Sequence, residues 1–256
     1  MIYHIPHSSL HLPSDMRSAF LLDDQALEAE LLTMTDAYTD DLFGSHAGDD
    51  DSVVTFPVSR LVLDPERFLD NKVETMASIG MGVIYERTSS GDPLRNNPSL
   101  EERDALIQRF YVPHHKRLNV ATERELDRHG LALILDCHSF PSRPLPYELD
   151  QDPDRPDICI GTDAFHTPEH LLEVAEQAVT DEGLTCGVNR PFSGSMVPSR
   201  FYGRDRRVSS IMIEVKRSLY MDEGSGVRSF QYFGCRASVG RIIGKLRRDD
   251  LPAPVS

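Results

Sequence analysis

Five short, almost unbroken apolar runs constrain this chain most: 52–56 (SVVTF), 82–85 (GVIY), 132–135 (ALIL), 158–160 (ICI) and 210–215 (SIMIEV). A sixth short run, at 1–5, opens the chain. A strand with one wet face alternates polar with apolar residues. Nearly continuous Val, Ile and Leu instead predicts strands covered on both faces, as in a parallel or mixed sheet. Helical patterns lie between the runs. Residues 24–43 place Leu27, Leu31 and Leu32 on one side. Residues 100–128 open on a Ser99–Glu102 capping box. Residues 167–182 open on Thr-Pro, and 229–246 form a last helix. Strands alternating with helices predict a three-layer α/β fold: a mixed, mostly parallel sheet flanked by helices. One domain is expected over 1–247, with 248–256 as a frayed tail.

The chain of 256 residues can bury a large core without disulfides or a structural metal. Its four cysteines form no Cys-x-x-Cys pair and are expected as reduced thiols. A net charge of −14 opposes binding to nucleic acid or to an anionic membrane. No stretch approaches the roughly 20 apolar residues of a membrane span. The opening MIYHIPHSSLHLP lacks a basic region followed by a long apolar one, so a cytoplasmic location is expected.

In open α/β sheets, sites form at the carboxyl ends of strands, and the chemistry-bearing residues cluster there. The strand at 132–135 runs straight into Asp136-Cys137-His138-Ser139. The strand at 1–5 runs into Pro6-His7-Ser8-Ser9. Two strand-terminal histidines suit a catalytic zinc, which takes two or three His, a carboxylate and an open position for water. The segment 35–41 (TDAYTDD) offers Asp36 and Asp40 at i, i+4 on one helical face, although a solvated helix surface explains such a pair equally. The strand-like 58–68 carries Arg60, Asp64 and Arg67. An arginine fork grips a carboxylate bidentately, but Arg60 could simply pair with Asp64. Glu214 interrupts an apolar strand, where burial would raise its pKa toward that of a general base. A buried salt bridge of Glu214 with Lys216 or Arg217 is the competing reading. Asn189 lies in an irregular, Gly-bounded loop, 187–194, of the kind that lines pockets. Adjacent His114 and His115 point roughly 100° apart on a helix and are expected as helix-start or surface residues. His166 precedes the Thr-Pro cap and is set aside as a ligand.

Together these segments resemble the N-formylglutamate amidohydrolase family. The stretches are IPHSS, TDAYTDDLF, FPVSRLVLDPERF, GVIYERT, DCHSF, DICIGTD, GVNRPFSG and IEVKRSLYMDE, in family order from Ile5 to about Glu223. The resemblance implies a distant branch of the zinc carboxypeptidase and aspartoacylase fold. It implies a zinc-dependent amidohydrolase, with another divalent metal as an alternative, acting on N-formyl-L-glutamate or a related N-acyl amino acid. Hydrolysis of a peptide-like amide, or binding without turnover, are the rival readings. Histidine breakdown comes with the resemblance, not with the residues. Carried over by position, His7 and His138 are metal ligands. Related aspartoacylases place a glutamate three residues after the first histidine; Leu10 stands there in this chain. The carboxylate ligand is therefore assigned to Asp36, with Asp40 as the alternative. Glu214 matches the catalytic glutamate. Arg67 matches the arginine that grips the substrate carboxylate, with Arg60 and Asn189 as further candidates.

Overall fold

Six strands form one sheet: β1 (Ile2–Ile5), β2 (Ser52–Thr55), β3 (Ala132–Phe140), β4 (Ile158–Gly161), β5 (Cys186–Val188) and β6 (Val208–Lys216). Their order is β2-β1-β3-β6-β4-β5. The computed structural model describes residues 1–247; the expected tail at 248–256 lies outside the described residues. The first four strands of the sheet run parallel, whereas β4 is antiparallel to β6 and carries β5 parallel to itself. The helices are α1 (Asp24–Met34), α2 (Thr39–Gly44), α3 (Leu100–Leu106), α4 (Val112–His129), α5 (Glu169–Asp181) and α6 (Tyr232–Leu246). Among the described residues, no helix is long and apolar enough to cross a membrane.

Side chains alternate between the two faces of a strand, and this sorts the core. Tyr3, Leu135, Ile211, Ile213 and Val215 meet Leu42 of α2, Leu171 and Ala178 of α5 and Ile242 of α6 on one face. Ile2, Ile134 and Val208 meet Leu118 and Ala121 of α4 on the other. Burial of each such aliphatic side chain contributes about 1.5–3 kcal/mol. Leu118 is fully buried. Leu118→Ala is expected to cost about 2–5 kcal/mol in a urea melt.

The second face changes character along the strands. Two residues beyond Ile2 and Ile134 stand His4 and Asp136, paired in register, and beyond them His138 and Glu214, also in register. Burying these polar groups costs free energy unless each is hydrogen-bonded or charge-compensated. The sheet therefore carries a buried polar patch at the carboxyl ends of β1, β3 and β6.

Four expected elements differ. Residues 82–85 are not a strand: Val83 and Ile84 plug an apolar cluster with Val62 and Leu63. Residues 58–68 form turns, with the Asp64 N–H bonded to the Val83 carbonyl (2.8 Å). The helix expected at 24–43 breaks at Thr35, because the Asp36 N–H leaves for the His7 carbonyl (3.0 Å) and Tyr38 turns left-handed (φ 68°). The helix expected at 100–128 starts with the full capping box on Ser99 and Glu102 but widens into a π-turn at Ile107–Tyr111. Pro113, just beyond, has no N–H to donate, and the wide turn accommodates it.

Candidate active site

His7 follows β1 across Pro6, and His138 is the seventh residue of β3. Their ring centroids lie 5.1 Å apart, and both are nearly inaccessible. Asp36, in the break between α1 and α2, turns its Oδ2 toward both rings: 3.1 Å from His138 Nδ1 and 3.6 Å from His7 Nδ1. Its Oδ1 accepts from Arg217 Nη2 (3.0 Å). The opposite ring nitrogens have their own carboxylates. His7 Nε2–H donates to Asp64 Oδ1 (2.9 Å) and His138 Nε2–H to Asp136 Oδ1 (3.1 Å). His7 Nδ1 is buried and has no hydrogen-bond partner. Burial opposes ionisation of Asp36, yet the hydrogen bond from His138, the nearby His7 ring and the Arg217 charge hold it well below the usual carboxylate range. Burial would also lower His138, but Glu66, Asp136 and its two hydrogen bonds raise it well above an ordinary imidazole.

Asp64 is a hub with no exposed surface. It accepts from Arg60 Nη2 (2.8 Å), from the Tyr85 hydroxyl and from His7. Arg60 is thus engaged with Asp64 and, through Nε, with Tyr85 (3.0 Å). Arg67 differs: its Nε stands 3.7 Å from Asp64 Oδ2, and its guanidinium makes no hydrogen bond among the described residues. Its side chain keeps 22% of its surface open. A half-free guanidinium beside buried imidazoles is a binding group for an anion.

Glu214, on β6 beside His138, is buried and accepts no hydrogen bond among the described residues. Neither competing salt bridge forms: Lys216 pairs with Asp157 and Arg217 with Asp36. Burial raises its pKa to about 8, with the His138 charge opposing and Asp36 and Glu66 adding to the rise. A carboxyl without partners, raised toward neutrality and set among polar side chains, has the properties of a general base.

Two sets of atoms could hold a cation. One is the Nδ1 edge: His7, His138 and Asp36. The other is the Nε2 edge, where Glu66 stands 3.6 Å from His7 and 3.3 Å from His138. His7, Glu66 and His138 gather ligand atoms within 4.8 Å of one another, as do His4, Glu66 and Asp136; Asp36 is in neither group. The Nε2 atoms are occupied by Asp64 and Asp136 at hydrogen-bond distance, whereas His7 Nδ1 is an orphan. Metal-binding imidazoles donate their second N–H to a carboxylate, so the Nδ1 edge fits better.

The structure brings His7, His138, Asp36, Glu214, Arg60 and Arg67 together. Asp40 is exposed on α2, so the expected i, i+4 pair does not form. Asn189 is not among them. It is exposed, left-handed (φ 54°), and both ends of its amide bond Thr162. It follows β5, and because β4 and β5 run against β6, their carboxyl ends point away from the Glu214 end of β6, Val188 standing level with Ile213 through Ile160. His114 is not a surface residue: it is buried against His4, and His115 Nε2 bonds the Pro65 carbonyl (2.8 Å). His166, set aside earlier, bonds the Val208 carbonyl and receives the Gly203 N–H. The residues missed in the sequence are Asp64 and Glu66 as site members, Tyr85 and His4. The signal for His4 was its place within an otherwise apolar strand.

The N-formylglutamate amidohydrolase family profile matches residues 1–221. The chain belongs to the N-formylglutamate amidohydrolase family. No curated protein matches it by sequence. Its fold is similar to that of a crystallised N-formylglutamate amidohydrolase from Ralstonia eutropha JMP134, at 22% identity and a TM-score of 0.77, over 96% of this chain and 91% of the other. It is also similar to a gene product of Agrobacterium tumefaciens, at 16% identity and a TM-score of 0.63, over 97% and 91%. These likenesses carry the fold: the mostly parallel six-stranded sheet flanked by helices is common to this amidohydrolase family and to the chain.

Proposed function

We propose that this chain is a metal-dependent amidohydrolase of a single domain over 1–247. It releases formate, or another small acyl group, from N-formyl-L-glutamate or a related N-acyl amino acid. The observation that carries the metal is the orphaned, buried Nδ1 of His7, converging with His138 Nδ1 on Asp36 while each opposite nitrogen holds its own carboxylate. Two imidazoles and one carboxylate suit Zn²⁺, with Co²⁺ or Mn²⁺ as substitutes. A divalent cation held there supplies Lewis-acid chemistry, polarising the amide carbonyl and acidifying a water. Glu214 takes the proton that the attacking water gives up. It then delivers that proton to the departing amine, so that the acid and the free amino group leave. Asp64 and Asp136 keep both imidazoles in one tautomer. Arg217 holds Asp36 in place and offsets its charge.

Arg67 takes the amino-acid carboxylate, because it is the guanidinium of the site that has no hydrogen bond of its own among the described residues. Arg60, engaged with Asp64 and Tyr85, steadies that hub and adds positive charge. Asn189 has no part in this reading. A charge-assisted hydrogen bond is worth about 1.5–3 kcal/mol. Arg67→Ala is therefore expected to raise KM by roughly 10–100-fold and change kcat less, measured by formate release. A KM left within twofold would remove Arg67 from the binding role. A panel of N-formyl, N-acetyl and longer N-acyl glutamates and aspartates tests the substrate. Highest kcat/KM on N-formyl-L-glutamate supports this reading, and a preference for a bulky acyl group contradicts it.

A further inference from the structure

His4 and His114 lie beyond the site, fully buried, with no solvent to satisfy them. His4 Nδ1 is 2.8 Å from Asp136 Oδ1, and His4 Nε2 is 2.9 Å from His114 Nε2. His114 Nδ1 has no partner. These contacts determine the protons. A lone pair on His4 Nδ1 would face a carboxylate, so the proton is there. His4 Nε2 must then accept from His114 Nε2–H, which leaves His114 Nδ1 as a bare lone pair. The alternative, a proton on His114 Nδ1, would bury an N–H with nothing to receive it, which is far rarer. Asp136 thus accepts three N–H groups: His4, His138 (3.1 Å) and, on Oδ2, the Met196 backbone (2.8 Å). Two of these donors are fixed in place, by the His114 contact and by the backbone. The carboxylate is held against His138 Nε2–H, so a cation at the other edge would displace only the Nδ1 proton, which in the metal-free protein bonds Asp36 Oδ2 (3.1 Å).

We propose that His4, set by His114, is a positioning residue that fixes the tautomer and ring angle of His138 through Asp136, and so tunes cation affinity at a site it never touches. This rests on the metal reading above. The glutamine variant is informative, because one amide can donate to Asp136 and accept from His114; leucine can do neither. Zn²⁺ affinity and stoichiometry are measured by chelator competition on wild type, His4→Gln and His4→Leu. One equivalent in wild type, a loss of roughly 10–100-fold in His4→Leu and recovery of most of it in His4→Gln is the expected result. Unchanged affinity in His4→Leu overturns the proposal, and so does equal weakening in both variants. Two equivalents, the second lost in His4→Leu, would make His4 a ligand with Glu66 and Asp136 and also overturn it. A wild type that binds no Zn²⁺ overturns the metal reading itself, and this proposal with it. Long-range ¹H–¹⁵N spectra of the metal-free wild type test it without any variant: protons on His4 Nδ1 and His114 Nε2 support it, and a proton on His4 Nε2 contradicts it.

Discussion

Replacing Glu214 by glutamine is expected to lower kcat by roughly 10²-fold or more, the usual scale for a lost general base, with metal content unchanged. Glutamine keeps the shape and removes the proton acceptor. The expected pH behaviour follows from the burial of this residue. The base works only as the carboxylate, so activity rises with pH through its pKa, which burial sets near 8 in the metal-free protein and a bound dication lowers. That rising limb should vanish in Glu214→Gln. Stability should move the other way. Between the ordinary glutamate value and about 8 the folded state holds a proton that the unfolded state has lost, so metal-free stability falls as pH rises through this window. Metal-free Glu214→Gln lacks that loss and should melt higher than wild type at pH 8 and above. Near-normal turnover, or a rising limb that survives the substitution, would take Glu214 out of the role.

Asp36→Asn and Glu66→Gln should separate the two edges of the imidazole pair. Asparagine can still accept from Arg217, which avoids leaving a buried guanidinium unpaired. Loss of a ligand charge at Asp36 should weaken Zn²⁺ binding by more than the roughly 10–100-fold typical of residues outside the coordination shell. Glu66→Gln should stay within that range or below it. Metal titration of the two variants, with circular dichroism to confirm folding, is the check. The reverse order of effects would move the cation to the Nε2 edge, with His7, Glu66 and His138 as its holders.

The apolar runs that became β1, β2, β3, β4 and β6 were legible, because burial on both faces demands continuous hydrophobicity. The run at 82–85 has the same composition yet plugs a loop cluster, since apolar content reports burial and not backbone shape. The direction of β4 has no local signature at all. Its antiparallel course turns Asn189 away from the Glu214 end of β6, and the loop reading of 187–194 could not foresee that. His138 was legible as a histidine at the end of an apolar strand, and Glu214 as a polar residue interrupting one. Asp36 was legible as a residue but not as a position: the expected helix through it breaks when its N–H pairs with the His7 carbonyl across the chain. The same holds for Asp64 and Glu66. They lie in a turn, 57 and 59 residues from His7, and only the fold makes them its neighbours.

The central claim is that a divalent cation at His7, His138 and Asp36 is required for amide hydrolysis. Metal analysis of the purified protein, paired with formate release from N-formyl-L-glutamate before and after chelation, tests it most directly. The account predicts about one equivalent of zinc per chain, formate release abolished by the chelator, and recovery on adding Zn²⁺ back. Full activity in protein stripped of metal would contradict it.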